Sequence, residues 1–208
     1  MNASNGQNTS RPQRHIQLTV ASENIPKFFG LLRSGFSIDL AVGCSLEHML
    51  CEQLRIAPDY LENRAQTVFL NSSPVDDLAT AAVPDKAVIS LSAAMPGLNG
   101  AIMRRGGPLA GMRHSISHVP DQVCSQSSPG RITLKLFNLV AKELGPHFLT
   151  RGVVVRSRAL GELLAQQPRS FWQSIKSAEI DGSPCEVDQL TLHEWAEQEV
   201  LLQVQAIE

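Results

Sequence analysis

Two histidines at helical spacing, His114 and His118, are the first candidates for chemistry in the sequence. If this stretch is helical, both imidazoles lie on one face, and Asp121 or Cys124 could add further ligands to a metal ion. Two ligands do not make a metal site, and the sequence has no C-x-x-C or H-E-x-x-H pattern to support one. We therefore expect a solvated or hydrogen-bonded histidine pair, and we predict no metal and no other cofactor.

A basic, glycine-rich stretch surrounds these histidines. Its cations could bind an anion, a phosphate-bearing ligand or an acidic partner surface. Alternatively, the stretch docks on the acidic C-terminal part of the same chain or of a symmetry mate, which is the interpretation that we favour. On the first interpretation the candidate binding residues are Arg104, Arg105, Arg113, His114 and His118.

Charge is distributed unevenly along the 208 residues, although the formal net charge is only −2. Residues 86–142 hold seven basic residues and one acidic residue, whereas residues 179–208 hold eight acidic residues and no Lys or Arg. The near-neutral total argues against a nucleic-acid binder, and so does the small number of aromatic side chains, two Trp, one Tyr and seven Phe. The sequence therefore predicts a basic middle and an acidic end.

Paired carboxylates and thiols are weaker candidates. Asp76 and Asp77 could bind a divalent cation or act as acid and base, but neighbours on an extended chain point to opposite faces, so we expect them to shape a hairpin. Cys44 precedes a predicted helix, whose dipole would favour its thiolate. We predict no catalytic residue, and we expect reduced thiols at Cys44, Cys51, Cys124 and Cys185.

The elements that position these residues form an internal repeat. Each copy opens on a strand of alternating apolar and polar residues, 16–20 in the first and 132–136 in the second. A second strand, a helix with a serine at its start, a strand running into an Asn or Asp turn, and a closing alternating strand follow in both. The later elements are 36–42, a helix from Ser45, 67–71 and 89–93, and then 153–155, a helix from Ser157, 177–181 and 202–206.

This order of strand, strand, helix, strand, turn, short strand and strand is that of the β-grasp fold. Residues 16–93 resemble the ubiquitin-like sulfur carriers of thiamine and molybdopterin synthesis, most clearly in TVFLNSSPV (67–75) and VPDKAVISL (83–91). Residues 132–206 resemble the same fold more faintly. The resemblance implies an α+β chain of two tandem β-grasp modules, each a mixed sheet with one covering helix, joined by a Gly-rich arm.

The repeat sets the predicted domain boundaries. We expect a flexible tail at 1–14, an N-terminal module at 15–93, a connector at 94–130 and a C-terminal module at 131–208. The alternative is coincidental alternation in an unrelated α+β domain. A module of this size is small for a self-sufficient core, so we expect two copies, or two chains, to pack together.

The ubiquitin-like carriers resemble one another in ending on Gly-Gly, and Gly106-Gly107 is such a pair. Here the pair is internal, Pro108 follows it, and the sequence ends on Gln205-Ala-Ile-Glu208. A carboxyl at Gly107 would exist only after proteolysis, so we expect a turn in the connector rather than a processed carrier.

Compartment and function follow from these expectations. No apolar segment follows Met1, and the longest uncharged run, 87–103, is too short and too broken to span a bilayer, so we predict a cytoplasmic protein without membrane contact. The leading functional hypothesis is a non-enzymatic interaction or scaffold protein that docks a protein partner or itself through a sheet face, a sheet edge or the basic arm. The alternatives are a carrier precursor cleaved after Gly107, and an enzyme or protein binding an unknown small ligand between the modules.

Overall fold

A computed structural model describes residues 14–120, 127–192 and 198–207, so most of the predicted tail at 1–14 lies outside the described residues. Within these ranges the chain forms α-helices and strands with both parallel and antiparallel pairing, which confirms the predicted α+β class. None of the described helices is long and apolar enough to cross a membrane.

The first seven strands and α-helices follow one another in the same order in the two halves of the chain, and the last two do not. The first half contains β1 Arg14–Ala21, α1 Phe29–Ser34, β2 Phe36–Val42, α2 Leu46–His48, α3 Pro58–Asn63, β3 Thr67–Leu70, β4 Ser73–Pro74, β5 Val88–Ser92 and α4 Gly97–Met103. The second half contains β6 Ser128–Leu136, α5 Asn138–Arg151, β7 Val153–Arg156, α6 Ser157–Ala165, α7 Arg169–Ser174, β8 Ile175–Ile180, β9 Ser183–Pro184, α8 Val187–Leu192 and β10 Glu199–Ile207. A 3-10 helix Ser22–Phe28 leads into α1, a π-helix Met49–Gln53 continues α2, and a 3-10 turn Ala110–Arg113 follows α4.

The chain divides into two compact units whose bounds differ from the predicted modules. The continuous unit is residues 25–148, and the discontinuous unit is residues 1–24 with residues 149–208. The chain passes between them twice, near α1 and within α5. Both passages therefore lie between the first and second strands of a half.

The continuous unit contains strands in the order β4, β3, β5, β6, β2. Its inner strand β6 is parallel to β5 and antiparallel to β2, with Leu134 opposite Ile89 on one side and Phe36 on the other. The predicted alternation is confirmed here, because Ile132, Leu134 and Leu136 are fully buried. The apolar face of this sheet is part of the core of the unit.

The discontinuous unit contains strands in the order β7, β10, β1, β8, β9. Its inner strand β1 is parallel to β10 and antiparallel to β8. Ile16, Leu18 and Val20 of β1 are buried, as the alternation predicts, and so are Leu160 and Leu164 of α6. In the closing strand β10, Leu202 and Val204 are buried as expected, but Ala206 is exposed.

Two features depart from the expected modules, so the two tandem β-grasp modules are not confirmed. A helix, α1 or α5, separates the first and second strands of each half, where strand was expected to follow strand. The first strands also pair outside their own halves, β1 with β8 and β10, and β6 with β5 and β2. A tight hairpin cannot join strands that belong to different units, which explains why a helical connection stands there.

The two predicted hairpin turns are present. Asn71 and Ser72 link β3 to β4 with positive φ, and Asp181 and Gly182 link β8 to β9 in the same way. Both turns also hold a neighbouring strand through the side chain of their first residue, since Asn71 accepts a hydrogen bond from the amide of Val88 and Asp181 accepts one from the amide of His15. The short strands β4 and β9 are each a Ser-Pro pair at the outer end of the strand order.

Gly130 of β6 lies close to the side chains of Val42 and Asp85, and it generates the first prediction. A Cβ at Gly130 would lie 2.5 Å from a Val42 methyl carbon and 2.9 Å from a carboxylate oxygen of Asp85. We expect Gly130→Ala to lower the free energy of unfolding by about 1–3 kcal/mol, because the added methyl overpacks this site. The measurement is chemical denaturation monitored by circular dichroism.

Gly30 provides the matched control for this substitution. It lies in α1, and an added Cβ would meet no atom within 4 Å. Gly30→Ala is expected to leave stability unchanged or raise it by up to about 1 kcal/mol, because alanine favours the helix. Equal effects of the two substitutions would show that β6 does not pack as closely against β2 as described.

Candidate functional site

Residues 94–120 of the predicted connector fold against the rest of the continuous unit, and we call them the arm, whereas residues 128–130 of the connector belong to β6. The amide of Arg105 donates to the carbonyl of Gln66 at 2.8 Å, and its guanidinium donates to the carbonyl of Leu61 at 2.7 Å. Further along, the amide of His118 donates to the carbonyl of Pro74 at 2.8 Å. The arm is thus anchored beside α3 and β4 by backbone and side-chain hydrogen bonds.

Arg113 is the buried centre of the arm, with only 1% of its side chain exposed. Two nitrogens of its guanidinium donate to the two carboxylate oxygens of Asp76, at 2.7 and 3.0 Å. The remaining N–H groups reach the carbonyls of Ile102 and Arg104 and the hydroxyl of Ser117. All five donors of this guanidinium therefore have acceptors, which is the condition under which a buried cation is tolerated.

Asp76 is the acidic partner that holds the arm. Besides Arg113, its carboxylate accepts a hydrogen bond from the amide of Gly106 at 2.9 Å. Partial burial raises its pKa, but the hydrogen bonds from Arg113 and Gly106 outweigh that effect and leave the pKa below its usual value. The expectation that C-terminal acids hold the arm is therefore wrong for Arg113, and Asp76 does more than shape a hairpin.

In the turn that follows α4, two polar side chains point inward and two apolar side chains are exposed. Hydrogen bonds from the amides of Met112, Ile116 and Ser117 to the carbonyls three or four residues earlier wind this segment into helical turns. Arg113 and Ser117, four residues apart, face inward and bind each other. Met112 and Ile116, also four residues apart, are 66% and 52% exposed.

Further apolar exposure flanks this turn. Leu98 in α4 and Val119 at the end of the arm are both largely exposed, and these four residues are most of the large exposed hydrophobic side chains of the described chain. Scattered exposed hydrophobic residues are normal, but a concentration in one segment is typical of an interaction site. We call Leu98, Met112, Ile116 and Val119 the apolar surface of the arm.

The predicted binding residues fall into different environments instead of forming one cationic site. Arg104 and His114 are exposed, Arg105 and His118 are half-buried, and Arg113 is buried. Burial lowers the pKa of Arg105, and Glu62, Asp76 and Glu47 oppose that effect through their charges. Two of the three arginines thus serve to attach the arm, which leaves Arg104 as the exposed arginine of the predicted set.

The predicted glycine pair is held in a turn by hydrogen bonds of its backbone amides. Gly106 has a φ of 59° and its amide donates to the carboxylate of Asp76, while the amide of Gly107 donates to the carbonyl of Arg104 at 3.2 Å.

The conceivable metal ligands Asp121 and Cys124 lie outside the described residues. Among the residues that are described, no three His, Cys, Asp or Glu side chains lie close enough together to bind a metal ion.

Cys44 does not have the environment of an activated thiol. It is buried at the start of α2, and burial raises the pKa of its thiol, against a smaller opposing effect of hydrogen bonds to its own backbone and to Gln53. Burial likewise raises the thiol pKa of Cys51 and Cys185. The expectation that the helix dipole favours a thiolate at Cys44 is therefore wrong, because desolvation dominates.

The uneven charge of the sequence is largely cancelled within each unit. The continuous unit holds 11 basic and 10 acidic residues, and the discontinuous unit holds 7 basic and 10 acidic residues. Arg113 pairs with Asp76, and Arg131 pairs with Asp39, so cations of the basic middle meet acids from earlier in the sequence. Two cations of the basic stretch are therefore paired with acids of their own unit.

A shallow polar depression lies on the solvent-facing side of the discontinuous sheet. Its volume is about 100 Å³. Rows of side chains from β10, β1 and β8 line it, and Gln17 binds Gln203 across the strands at 3.2 Å. The other lining residues are Leu18, Thr19, Ser177, Glu179 and Gln205.

The sequence contained part of the signal for the apolar surface. Met112 and Ile116 have the spacing of one helical face, and Arg113 and Ser117 have the same spacing one residue later. Spacing does not tell which face points outward, and charge alone suggests the wrong one. The deciding partner, Asp76, is 37 residues away from Arg113, and no local pattern connects them.

Comparisons with known proteins give no family for this chain. No family model, no curated protein and no solved structure matches the chain.

Arg113 provides a test of the arm's attachment. We expect Arg113→Ala to lower the free energy of unfolding by about 2 kcal/mol, less than for a fully buried pair because the side chain of Asp76 is 42% exposed. The released arm should also be cleaved faster by trypsin at Arg104 and Arg105. Arg104→Ala is the matched control, since Arg104 is exposed, and an equal loss of stability in both variants would contradict the role given to Arg113.

The lowered pKa of Asp76 predicts how this attachment depends on pH. A carboxyl with a lower pKa in the folded state stabilises the fold fully above its ordinary pKa, and this contribution is lost as the pH falls through the folded value. The difference in melting temperature between the native chain and Asp76→Asn should therefore be largest near neutral pH and shrink below about pH 4. Asp77→Asn, the neighbouring carboxylate, should give a smaller difference at neutral pH, and a difference for Asp76→Asn that does not change with pH would contradict the assignment.

Proposed function

We propose that the chain is a non-enzymatic protein-interaction module, built from two ubiquitin-like β-grasp units, that docks a protein partner on the apolar surface of the arm. The observation that carries this proposal is the inverted turn, in which Arg113 is buried while Met112 and Ile116 are exposed. An isolated chain gains stability from the opposite arrangement. A partner that covers the exposed side chains explains why the inverted one is kept.

The energetics favour recognition by a preformed surface. Burying a side chain of the size of Met or Ile contributes about 1.5–3 kcal/mol when burial is complete, so Met112 and Ile116 each offer about half of that or more to a partner. The hydrogen bonds of Arg113 and Arg105 hold the segment in place before binding. A surface that is already ordered loses less entropy when the partner binds.

Other docking modes considered from the sequence receive less support. The outer strands β4 and β9 are two-residue Ser-Pro pairs, and proline lacks the amide that an added strand would need.

A carrier cleaved after Gly107 would need an accessible, extended glycine pair, whereas the amide of Gly106 is bound to Asp76 and the amide of Gly107 lies in a turn. An intact mass without a fragment ending at Gly107 would remove the carrier alternative.

A photocrosslinking amino acid at Ile116 tests the proposal in the cells that the protein comes from. We expect a discrete protein adduct, because Ile116 is exposed on the proposed surface, and we expect Met112→Glu to abolish it without lowering the melting temperature. The matched control places the crosslinker at Gln189, an exposed residue of α8 in the discontinuous unit. The proposal would be contradicted if the Ile116 sample gave no adduct, or if the crosslinker gave the same adducts at both positions.

A further inference from the structure

The discontinuous unit receives an inner strand from a distant part of the sequence. All eight residues of β1 pair with β10, and residues 16–20 also pair with β8. Ile16, Leu18 and Val20 are at most 1% exposed. Without β1, the facing edges of β10 and β8 would lack hydrogen-bond partners, and we call the space between them the β1 slot.

Two side-chain contacts of the β1 slot, those of Arg14 and Gln17, depend on the sequence of β1. Arg14 donates to one carboxylate oxygen of Asp181 at 2.7 Å, and the amide of His15 donates to the other at 2.8 Å. Gln17 adds a side-chain hydrogen bond to Gln203 of β10. The hydrogen bonds from the His15 amide and Arg14 lower the pKa of Asp181, so its carboxylate is charged at neutral pH.

A comparison of β1 with β6 shows that each of these inner strands suits its own unit. The two strands share an alternating core, Ile16-Gln-Leu-Thr-Val20 and Ile132-Thr-Leu-Lys-Leu136. When Ile132 is placed at Ile16, Gly130 takes the position of Arg14, and the ion pair to Asp181 is lost. In the other direction, Arg14 would bring a Cβ to the place where Gly130 approaches Val42. Each strand therefore fits its own unit better than that of the other.

We propose that β1 of one copy also occupies the β1 slot of a second copy, so that two chains form a strand-exchanged dimer. The occupant is a second copy because the slot recognises features of β1 itself, Arg14, Gln17 and the buried apolar residues. An exchanged strand makes the same contacts as the chain's own strand, so only the connecting segment and the association entropy distinguish the two states.

The segment that follows β1, residues 22–24, is a short hinge that leads to the boundary between the units. β1 ends at Ala21, and the boundary between the units lies between Asn24 and Ile25, inside the 3-10 helix Ser22–Phe28. Pro26 in this helix cannot donate a backbone hydrogen bond. Short hinges favour exchange, because extending them toward another copy relieves the constraint of closing on their own chain.

Two contacts hold the hinge on its own unit. The hydroxyl of Ser22 donates to the carbonyl of Ile207 at 2.9 Å, and the amide group of Asn24 donates to the hydroxyl of Ser174 at 2.8 Å. Both acceptors belong to the discontinuous unit, so a second copy offers the same acceptors to an incoming β1. Beyond the boundary, Ile25 and Phe28 are buried and keep the rest of the helix in place.

Engineered cysteines at one register pair test the exchange directly. Gln17 and Gln203 are opposite each other on β1 and β10. In a background with the four native cysteines replaced by alanine, one chain carries Gln17→Cys and another carries Gln203→Cys. We expect co-refolding at high protein concentration, followed by oxidation, to give a disulfide-linked heterodimer of twice the monomer mass.

Two controls make this result decisive. A single chain with both cysteines should form an internal disulfide when refolded at high dilution, which shows that the geometry permits the bond. The pair Gln17→Cys and Ser34→Cys, with Ser34 exposed in α1, reports random collision. If the internal disulfide forms but the heterodimer does not exceed the collision control at any concentration, the proposal is overturned.

A charge exchange tests the same idea with the native cysteines in place. Arg14→Asp alone brings two carboxylates together, and Asp181→Arg alone brings two guanidinium groups together. Only a mixed dimer restores Arg–Asp pairs in both slots, so native mass spectrometry of the co-refolded mixture should show more heterodimer than either homodimer. Equal amounts of the three dimers, or no dimer, would overturn the proposal, and neither outcome bears on the surface of the arm.

Discussion

The pairing of β1 between β10 and β8 is the constraint on which the architecture depends. A strand from the start of the sequence completes a sheet whose other members come after residue 149, so the chain must build residues 25–148 as a separate unit in between. The helices α1 and α5 stand where the chain passes from one unit to the other. Because of this long sequence separation, pairing β1 with β10 and β8 carries a loop-closure entropy cost that grows with the length of the intervening chain.

Ion pairs between carboxylates and arginines join segments of this framework. Asp76 holds the arm through Arg113, Asp181 holds the start of β1 through Arg14, and Asp39 holds β6 through Arg131. Each of these pairs joins segments that are far apart in the sequence. These partly exposed pairs add contacts between distant segments, while burial of the apolar residues supplies most of the stability.

The sequence predicted elements well because their signals are local. The alternation of Ile132, Leu134 and Leu136 marked a strand, Ser45 marked a helix start whose side chain accepts from the amide of His48, and Asn71 marked a turn. The partners of these elements were not predictable, because β1 and β6 have similar patterns and nothing local assigns either to a sheet. The environments of the candidate site residues were not predictable for the same reason. The role of Arg113 depends on Asp76, and the inward or outward direction of its turn depends on that pair.

The parallel pairing of β1 with β10 also sets how the fold resists tension. Arg14 lies opposite Val200, and Ala21 lies opposite Ile207, so the outer ends of these two strands are at opposite ends of the ladder. A force applied through Arg14 and Ile207 slides the strands past each other and loads their evenly spaced hydrogen bonds together, instead of opening them one at a time. Along this direction the discontinuous unit is built as a mechanical clamp, closed by the first and last described strands of the chain.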